Sequence, residues 1–467
     1  MRDKGRTRRG SSSAANVGVL VGAAAVLIIA PGASSVRAES PVKATYRAEL
    51  SGAVESFIGS RLDAWLELYT DLHANPELSL QEFESARKMA ERLEGAGYAV
   101  TRGVGGTGVV GVLKNGEGPT LLIRGDMDAL PIVEETGLPY ASRVTAKGSD
   151  GAVVGVMHAC GHDAHQTCLV GVAEALVALK DRWSGTLVLV AQPAEEIGKG
   201  AKMMIEDGLF ERFPRPDYCL ALHVTGSIPV GTVSYTSGWA LANVDSVDIT
   251  IHGRGGHGSR PHEAADPVVA ASQTIVALQT VVSRRLDPTQ PGVITVGSIH
   301  AGTKHNIIPG EAKLQLTVRS FTDEARRTLL DGIREVTTHT CRAHGCPRDP
   351  EISVIEDEFT PALYNDPGLT TVAAEVFRQV LGPERVLEIT GQMGGEDFGR
   401  YSRHLKVPGL MFWLGSADPK AFAASKAPGG EPIPSTHSSR FAPEPRGTIQ
   451  VGVRCMTSLA LSLLSAQ

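Results

Sequence analysis

Thr120-Leu121-Leu122-Ile123-Arg124-Gly125-Asp126-Met127-Asp128 carries an apolar run from Leu121 to Ile123, with two carboxylates directly after it. Such a run reads as a buried strand, and the acidic pair then stands at its C-terminal end, where α/β proteins place their sites. Working outward, β-branched strand candidates recur at 108–113, 186–190 and 217–222, with a turn at Asn115-Gly116. Helical stretches near 166–179 and 201–207 lie between the later strands, so this half reads as α/β. On the N-terminal side, Ser79-Leu-Gln-Glu82 fits a capping box that opens a surface helix running to Leu93 and stopping at Gly95 and Gly97.

From about Ala242 the order changes to strand (244–251), helix (264–282), strand (293–299), strand (313–319), helix (323–344) and strand (352–356). That βαββαβ order is ferredoxin-like and forms a complete unit. After about Thr360 the α/β pattern returns, with a strand at 410–414 and a last helix near 448–464. The expected organisation is a larger domain of residues 39–240 and 360–467 around an inserted domain of residues 241–359. Gln450 and Arg454 interrupt the last helix, which reads as a buried core helix rather than a membrane span.

Arg2, Lys4, Arg6, Arg8 and Arg9 precede an apolar run from Val17 to Ala30 and the small-residue stretch Val36-Arg37-Ala38. That pattern is a secretory signal peptide of residues 1–38, and the run is shorter than the roughly 20 residues of a spanning helix. An exported protein with no stable membrane span after cleavage is expected. Residues 1–38 hold six of the 45 basic and one of the 51 acidic residues, so the remainder carries a net charge of −11, which disfavours a nucleic-acid partner. Six cysteines are too few for a disulfide scaffold in a chain of this length, although Cys341 and Cys346 are close enough in sequence to pair.

Metal-ligand chemistry is concentrated in few places. His158-Ala-Cys160-Gly-His162-Asp163-Ala-His165 packs three imidazoles, a thiol and a carboxylate into eight residues, and sulfur with imidazole nitrogen suits a divalent transition metal. Glu195-Glu196 taken alone suits a solvated surface pair, but it follows a strand ending at Gln192-Pro193, where one carboxylate can bind metal while its neighbour takes a proton from water. His223, after the strand candidate 218–222, and His437, in Pro434-Ser-Thr-His-Ser, each suit a structural role or a ligand. Asp126 and Asp128 suit ligands, supports for histidines, or loop caps.

Taken together, Arg124-Gly-Asp-Met-Asp-Ala-Leu-Pro131, Met157-His-Ala-Cys-Gly-His-Asp-Ala-His165, Gln192-Pro-Ala-Glu-Glu196, Gly255-Gly-His-Gly-Ser-Arg-Pro-His262, Asn306-Ile-Ile-Pro309 and Gly395-Glu-Asp-Phe398 resemble the metal-dependent amidohydrolase family of hippurate hydrolase, aminoacylase-like deacylases and auxin-conjugate hydrolases. The resemblance implies a catalytic α/β domain with a central mixed sheet flanked by helices, an inserted lid and dimerisation domain, and a homodimer. It implies two divalent ions held by Cys160, His162, Glu196, His223 and His437, with Glu195 as general base and Asp126 and Asp128 behind the ligands. By the same resemblance His257 supplies an oxyanion donor, and Asn306 and Arg319 clamp a substrate carboxylate, for which the planar guanidinium fork is suited. Thiolate favours zinc, and the mixed donor set also accepts manganese or cobalt.

The expected reaction is hydrolysis of the amide of N-acyl amino acids, small molecules with a free carboxylate. The near alternative is a dipeptidase or carboxypeptidase acting on short peptides. Two other classes are a binding relative without turnover, against which retention of both Glu195 and Glu196 argues, and a thiol enzyme built on Cys160.

Overall fold

The computed structural model describes residue 42 and residues 44–466. The expected signal peptide lies outside the described residues. Helix α1 (Ser51–Ala74) and α2 (Phe83–Gly95) lead into strands β1 (Ala99–Val104), β2 (Gly108–Asn115) and β3 (Thr120–Asp126). They are followed by α3 (His162–Ala178), β4 (Trp183–Gln192), α4 (Gly200–Glu206), β5 (Tyr218–Pro229) and β6 (Val233–Tyr235).

The next segment forms a sheet of its own. Strands β7 (Asn243–His252), β9 (Gly292–Ala301), β11 (Glu311–Ser320) and β12 (Glu351–Val354) alternate with helices α5 (Pro267–Arg284) and α6 (Asp323–Ala343). Their order across the sheet is β9-β11-β7-β12 and every neighbouring pair is antiparallel, which is the ferredoxin-like arrangement expected from the element order. Alternate residues Val247, Ile249 and Ile251 of β7 pack beneath the two helices with Leu314, Leu316, Leu278 and Leu329. Asp266 and Thr322 cap those helices by accepting from Val268 and Ala325. Two short strands, β8 (Gly256–His257) and β10 (Ile307–Ile308), pair as a separate ribbon.

Beyond it, α7 (Pro367–Leu381), β13 (Val386–Glu388), β14 (Gly409–Ala417) and α8 (Pro445–Leu463) return to the larger sheet. That mixed sheet runs β1-β2-β4-β3-β5-β14-β6-β13, with Ser465–Ala466 paired against the start of β4. Strands β4, β3, β5 and β14 are parallel, so their C-terminal ends share one edge. Ile123 lies opposite Leu189 on one side and Leu220 on the other, and all of β14 is buried. Helices α1, α3 and α8 pack together over one face. No helix among the described residues is long and apolar enough to cross a membrane.

Some expectations change. The Asn115-Gly116 turn forms, but it closes no hairpin, because β4 lies between β2 and β3. His223 does not end its strand, since β5 continues to Pro229. The capping box is absent: the amides of Glu84 and Ser85 in the first turn of α2 are accepted by Glu77, while Ser79 and Glu82 turn their side chains elsewhere. Helices α1 and α7 fall outside the expectations.

Candidate metal centre

The shared C-terminal edge of the parallel strands gathers Cys160, His162, Glu195, Glu196, His223 and His437. Each arrives by a local device. Gly161 is the N-cap of α3 at φ +77°, and a Cβ there would stand 2.3 Å from Val224 Cγ2, so only glycine allows Cys160 and His162 to flank this turn. His223 Nδ1 donates to the carbonyl of Val224 at 2.7 Å, which leaves the Nε2 lone pair directed at Cys160 Sγ, 3.4 Å away. Asp128 accepts the backbone amides of both Glu195 (3.1 Å) and Glu196 (3.0 Å), and its Oδ1 lies 3.3 Å from His162 Nδ1. His437 has a left-handed backbone, φ +66°, and its amide donates to the carbonyl of Ala159, the neighbour of Cys160.

Donor atoms of Cys160, His162 and His223 lie within 4.8 Å of one another, as do those of Cys160, Glu196 and His437, and those of His162, Glu195 and Glu196. His162 Nε2 is 3.7 Å from Asp126 and 3.8 Å from both Glu195 and Glu196, too far for hydrogen bonds. That nitrogen and Glu196 Oε1 are buried without a hydrogen-bond partner. Buried donors left unpaired beside one another cost free energy unless a cation joins them, so the residues fit a transition-metal centre.

Electrostatics agree. Asp126, Asp128, Glu195, Glu196, Glu396 and Asp397 crowd a region whose permanent cation is Arg124. Burial, with Glu396 and Glu196 nearby, pushes Glu195 well above the usual carboxylate range. Burial likewise raises Glu196 to about 7. At His162 burial opposes the charged form, but Asp126, Asp128 and Glu196 outweigh it and hold the imidazole up at about 10, so this spot demands positive charge. Burial and the same glutamates push the Cys160 thiol well upward, which opposes the reading of Cys160 as a thiolate nucleophile.

His165 is no ligand here: Nδ1 donates to Asp126 at 2.6 Å and Nε2 accepts from the Val224 amide. Asp126 is also paired to Arg124 at 2.5 Å, a supporting position like that of Asp128. His257 and Asn306 meet in the β8–β10 ribbon, where the Gly258 amide donates to the Asn306 carbonyl. Both side chains are exposed. The Ser259 amide donates to His257 Nδ1, which puts the neutral ring's proton on Nε2 as an outward donor. Arg319, on β11, donates to the Met393 carbonyl at 3.3 Å, close to Gly395; among the described residues no hydrogen bond joins it to Asn306.

The sequence reading missed the network below the centre. Arg124 is buried and donates to Gln192, Asp126, Glu396 and Asp397. A charge inside an apolar strand was the available signal, because a buried guanidinium requires partners.

Comparison with known proteins places the chain among hydrolases. Residues 122–429 match the family described as peptidase family M20/M25/M40. A thermostable carboxypeptidase of Saccharolobus solfataricus is 37% identical over 81% of this chain and 91% of its own length. The hippurate hydrolase of Campylobacter jejuni is 40% identical over 70% of this chain and 82% of its own. A solved Bacillus subtilis structure, described as a dinuclear metal-binding peptidase of the same family, is 30% identical with a TM-score of 0.70, covering 87% of this chain and 99% of that one.

Proposed function

The chain belongs to the peptidase family M20/M25/M40, and from that premise we propose that it hydrolyses the amide bond of N-acyl amino acids, or of related small conjugates with a free carboxylate. The observation that carries this reading is the convergence of a thiol, three imidazoles and two adjacent glutamates, with unpartnered donors, at one edge of the sheet. Cys160, His162, Glu196, His223 and His437 hold two divalent ions, zinc or manganese, with cobalt also compatible. Such ions supply polarisation of the scissile carbonyl and a water of lowered pKa.

Glu195 takes the proton of the attacking water and delivers it to the departing nitrogen. Asp128 fixes that glutamate through its amide, and Asp126 acts through His165 and Arg124. His257 Nε2–H stabilises the oxyanion, and Arg319 with Asn306 binds the substrate carboxylate. A carboxypeptidase or dipeptidase uses the same centre, and the carboxypeptidase relative supports that second reading.

The working form is a homodimer. What supports this is β9, an edge strand with Ile299 exposed, and Val268, Val269 and Val276 exposed on the neighbouring α5. Export rests on the N-terminal sequence. Metal analysis of purified protein, followed by a panel of N-acyl amino acids and dipeptides with and without a chelator, tests the whole reading. Activity that survives complete metal removal, or metal binding without cleavage of any amide, overturns it.

A further inference from the structure

Glu82 is fully buried at the start of α2, and the capping role that its sequence context suggests is filled by Glu77. Its Oε1 accepts the amides of Leu80 (2.9 Å) and Ala194 (2.8 Å), and its Oε2 accepts the hydroxyl of Thr107 at 2.7 Å. Ala194 is itself fully buried and stands at φ +51°, a left-handed conformation unusual for any residue but glycine. Its carbonyl accepts the amides of Lys199 and Gly200, so the turn Ala194–Gly200 winds around this one peptide. A buried amide needs an acceptor, and here the acceptor is a carboxylate from a distant part of the chain.

We propose that Glu82 is a positioning residue for the Glu195-Glu196 pair: it holds the strained Ala194 amide on one side, as Asp128 holds the next two amides on the other. Ser79 joins the same arrangement by donating to Asp128 at 2.6 Å. The two carboxylates thus hold three successive amides, those of Ala194, Glu195 and Glu196. This inference rests on the metal-centre reading, since the positions it controls are those of the proposed base and ligand.

The test compares Glu82→Gln, which keeps an acceptor oxygen for both amides, with Glu82→Leu, which fills the space and offers none. Two readouts are taken: metal affinity of the apo protein by competition with a chromophoric chelator, and kcat and KM on an N-acyl amino acid. Glu82→Leu is expected to weaken metal binding on the order of ten- to a hundredfold and to lower kcat about a hundredfold with KM little changed. Glu82→Gln should stay within about threefold of the parent on both.

Adding Ala194→Gly to Glu82→Leu should restore part of both, because glycine holds φ +51° without help. Thr107→Val perturbs the same buried site without touching Ala194 and should leave kcat in place. If Glu82→Leu does not fold, Glu82→Asp replaces it, keeping the charge while drawing the oxygens back by about 1.5 Å. Unchanged metal affinity in the Leu or Asp variant, no recovery with Ala194→Gly, or equal losses in Glu82→Gln and Glu82→Leu would overturn the proposal. A parent that cleaves no amide would instead sink the functional reading and leave the metal titration to decide the role of Glu82.

Discussion

His437 Nε2 lies 3.4 Å from Glu196 Oε2, although one residue follows β4 in the first half of the chain and the other precedes the last helix. Two turns with left-handed residues, Ala194 before the glutamates and His437 itself, make this meeting possible. The pair sorts the roles of three residues. His437→Ala and Glu196→Gln should each release metal during gel filtration, whereas Glu195→Gln should retain it and lose turnover. Metal content per subunit, measured on all three, decides; Glu195→Gln that stays active, or that sheds metal as readily as Glu196→Gln, contradicts the assignment.

Arg319 is half-buried and its one guanidinium hydrogen bond outside its own strand goes to a neutral carbonyl, that of Met393, so no carboxylate of the chain neutralises it among the described residues. A substrate whose carboxylate is amidated should therefore be cut poorly, and Arg319→Ala should narrow the gap between acid and amide. Hydrolysis of one N-acyl amino acid and its amide by both proteins is sufficient, and equal rates in the parent would remove the clamp.

His257 is expected to act across a dimer. Loss of one oxyanion donor commonly costs on the order of a hundredfold, so His257→Ala and Glu195→Gln should each be nearly inactive. Refolded together, random pairing makes half the dimers mixed, each with one complete site, and roughly a quarter of full activity should return. A mixture as inactive as its parents, with subunit exchange verified by mass, would place His257 in its own chain's site or nowhere.

Behind the centre, His73 is buried between Asp163 (2.7 Å) and Glu134 (3.1 Å). Burial opposes its charge, but the two hydrogen bonds prevail and raise it to about 10. A raised imidazole contributes stability that is complete below its unfolded value near 6.5 and disappears as pH climbs through about 10. His73→Gln should thus lower the melting temperature by roughly 3–5 °C at pH 6, with the deficit shrinking toward pH 10. Melting curves at pH 6, 8 and 10 check this, and a deficit that grows with pH contradicts it.

Cys341 and Cys346 sit at the two ends of a Schellman turn closing α6: the Cys346 amide donates to the Cys341 carbonyl, the Gly345 amide to that of Arg342, and Gly345 stands at φ +68°. That motif brings its first and last side chains together, and here both are thiols in contact. Oxidised glutathione should join them. Trypsin cuts after Arg342, so peptides 335–342 and 343–348 should then travel as one mass until a reductant separates them; their separate recovery from oxidised protein would show that the thiols do not couple.

Much of this was readable without coordinates, for definite reasons. The dense run 158–165 points to a centre because a thiol, three imidazoles and a carboxylate rarely fall together by chance, whereas Glu195-Glu196, ordinary as a surface pair, gains meaning only from the buried strand before it. The inserted unit was readable because its strands alternate and its helices carry caps at Asp266 and Thr322. Helix α1 was overlooked although Val54, Ile58, Leu62, Trp65, Leu68, Tyr69 and Leu72 recur at helical spacing and form its buried stripe; Ala53, Phe57, Ala64 and Leu66 widen the apolar pattern and blur that period. Ser79 and Glu82 misled because a local pattern fits them well, yet Asp128 and the Ala194 amide, invisible in sequence, compete successfully for both side chains. His437 had no local signal, its place being fixed by a hydrogen bond to Ala159.

Strand β14 slots between β5 and β6, pairing Trp413 with His223. During synthesis the ribosome therefore delivers the middle of the sheet after its flanks. Until that late strand arrives, β5 presents an open hydrogen-bonding edge with His223 on it, and His437 has not yet been made. A polypeptide cut short before β14 would therefore keep that edge open to intermolecular pairing and would lack His437 beside Glu196.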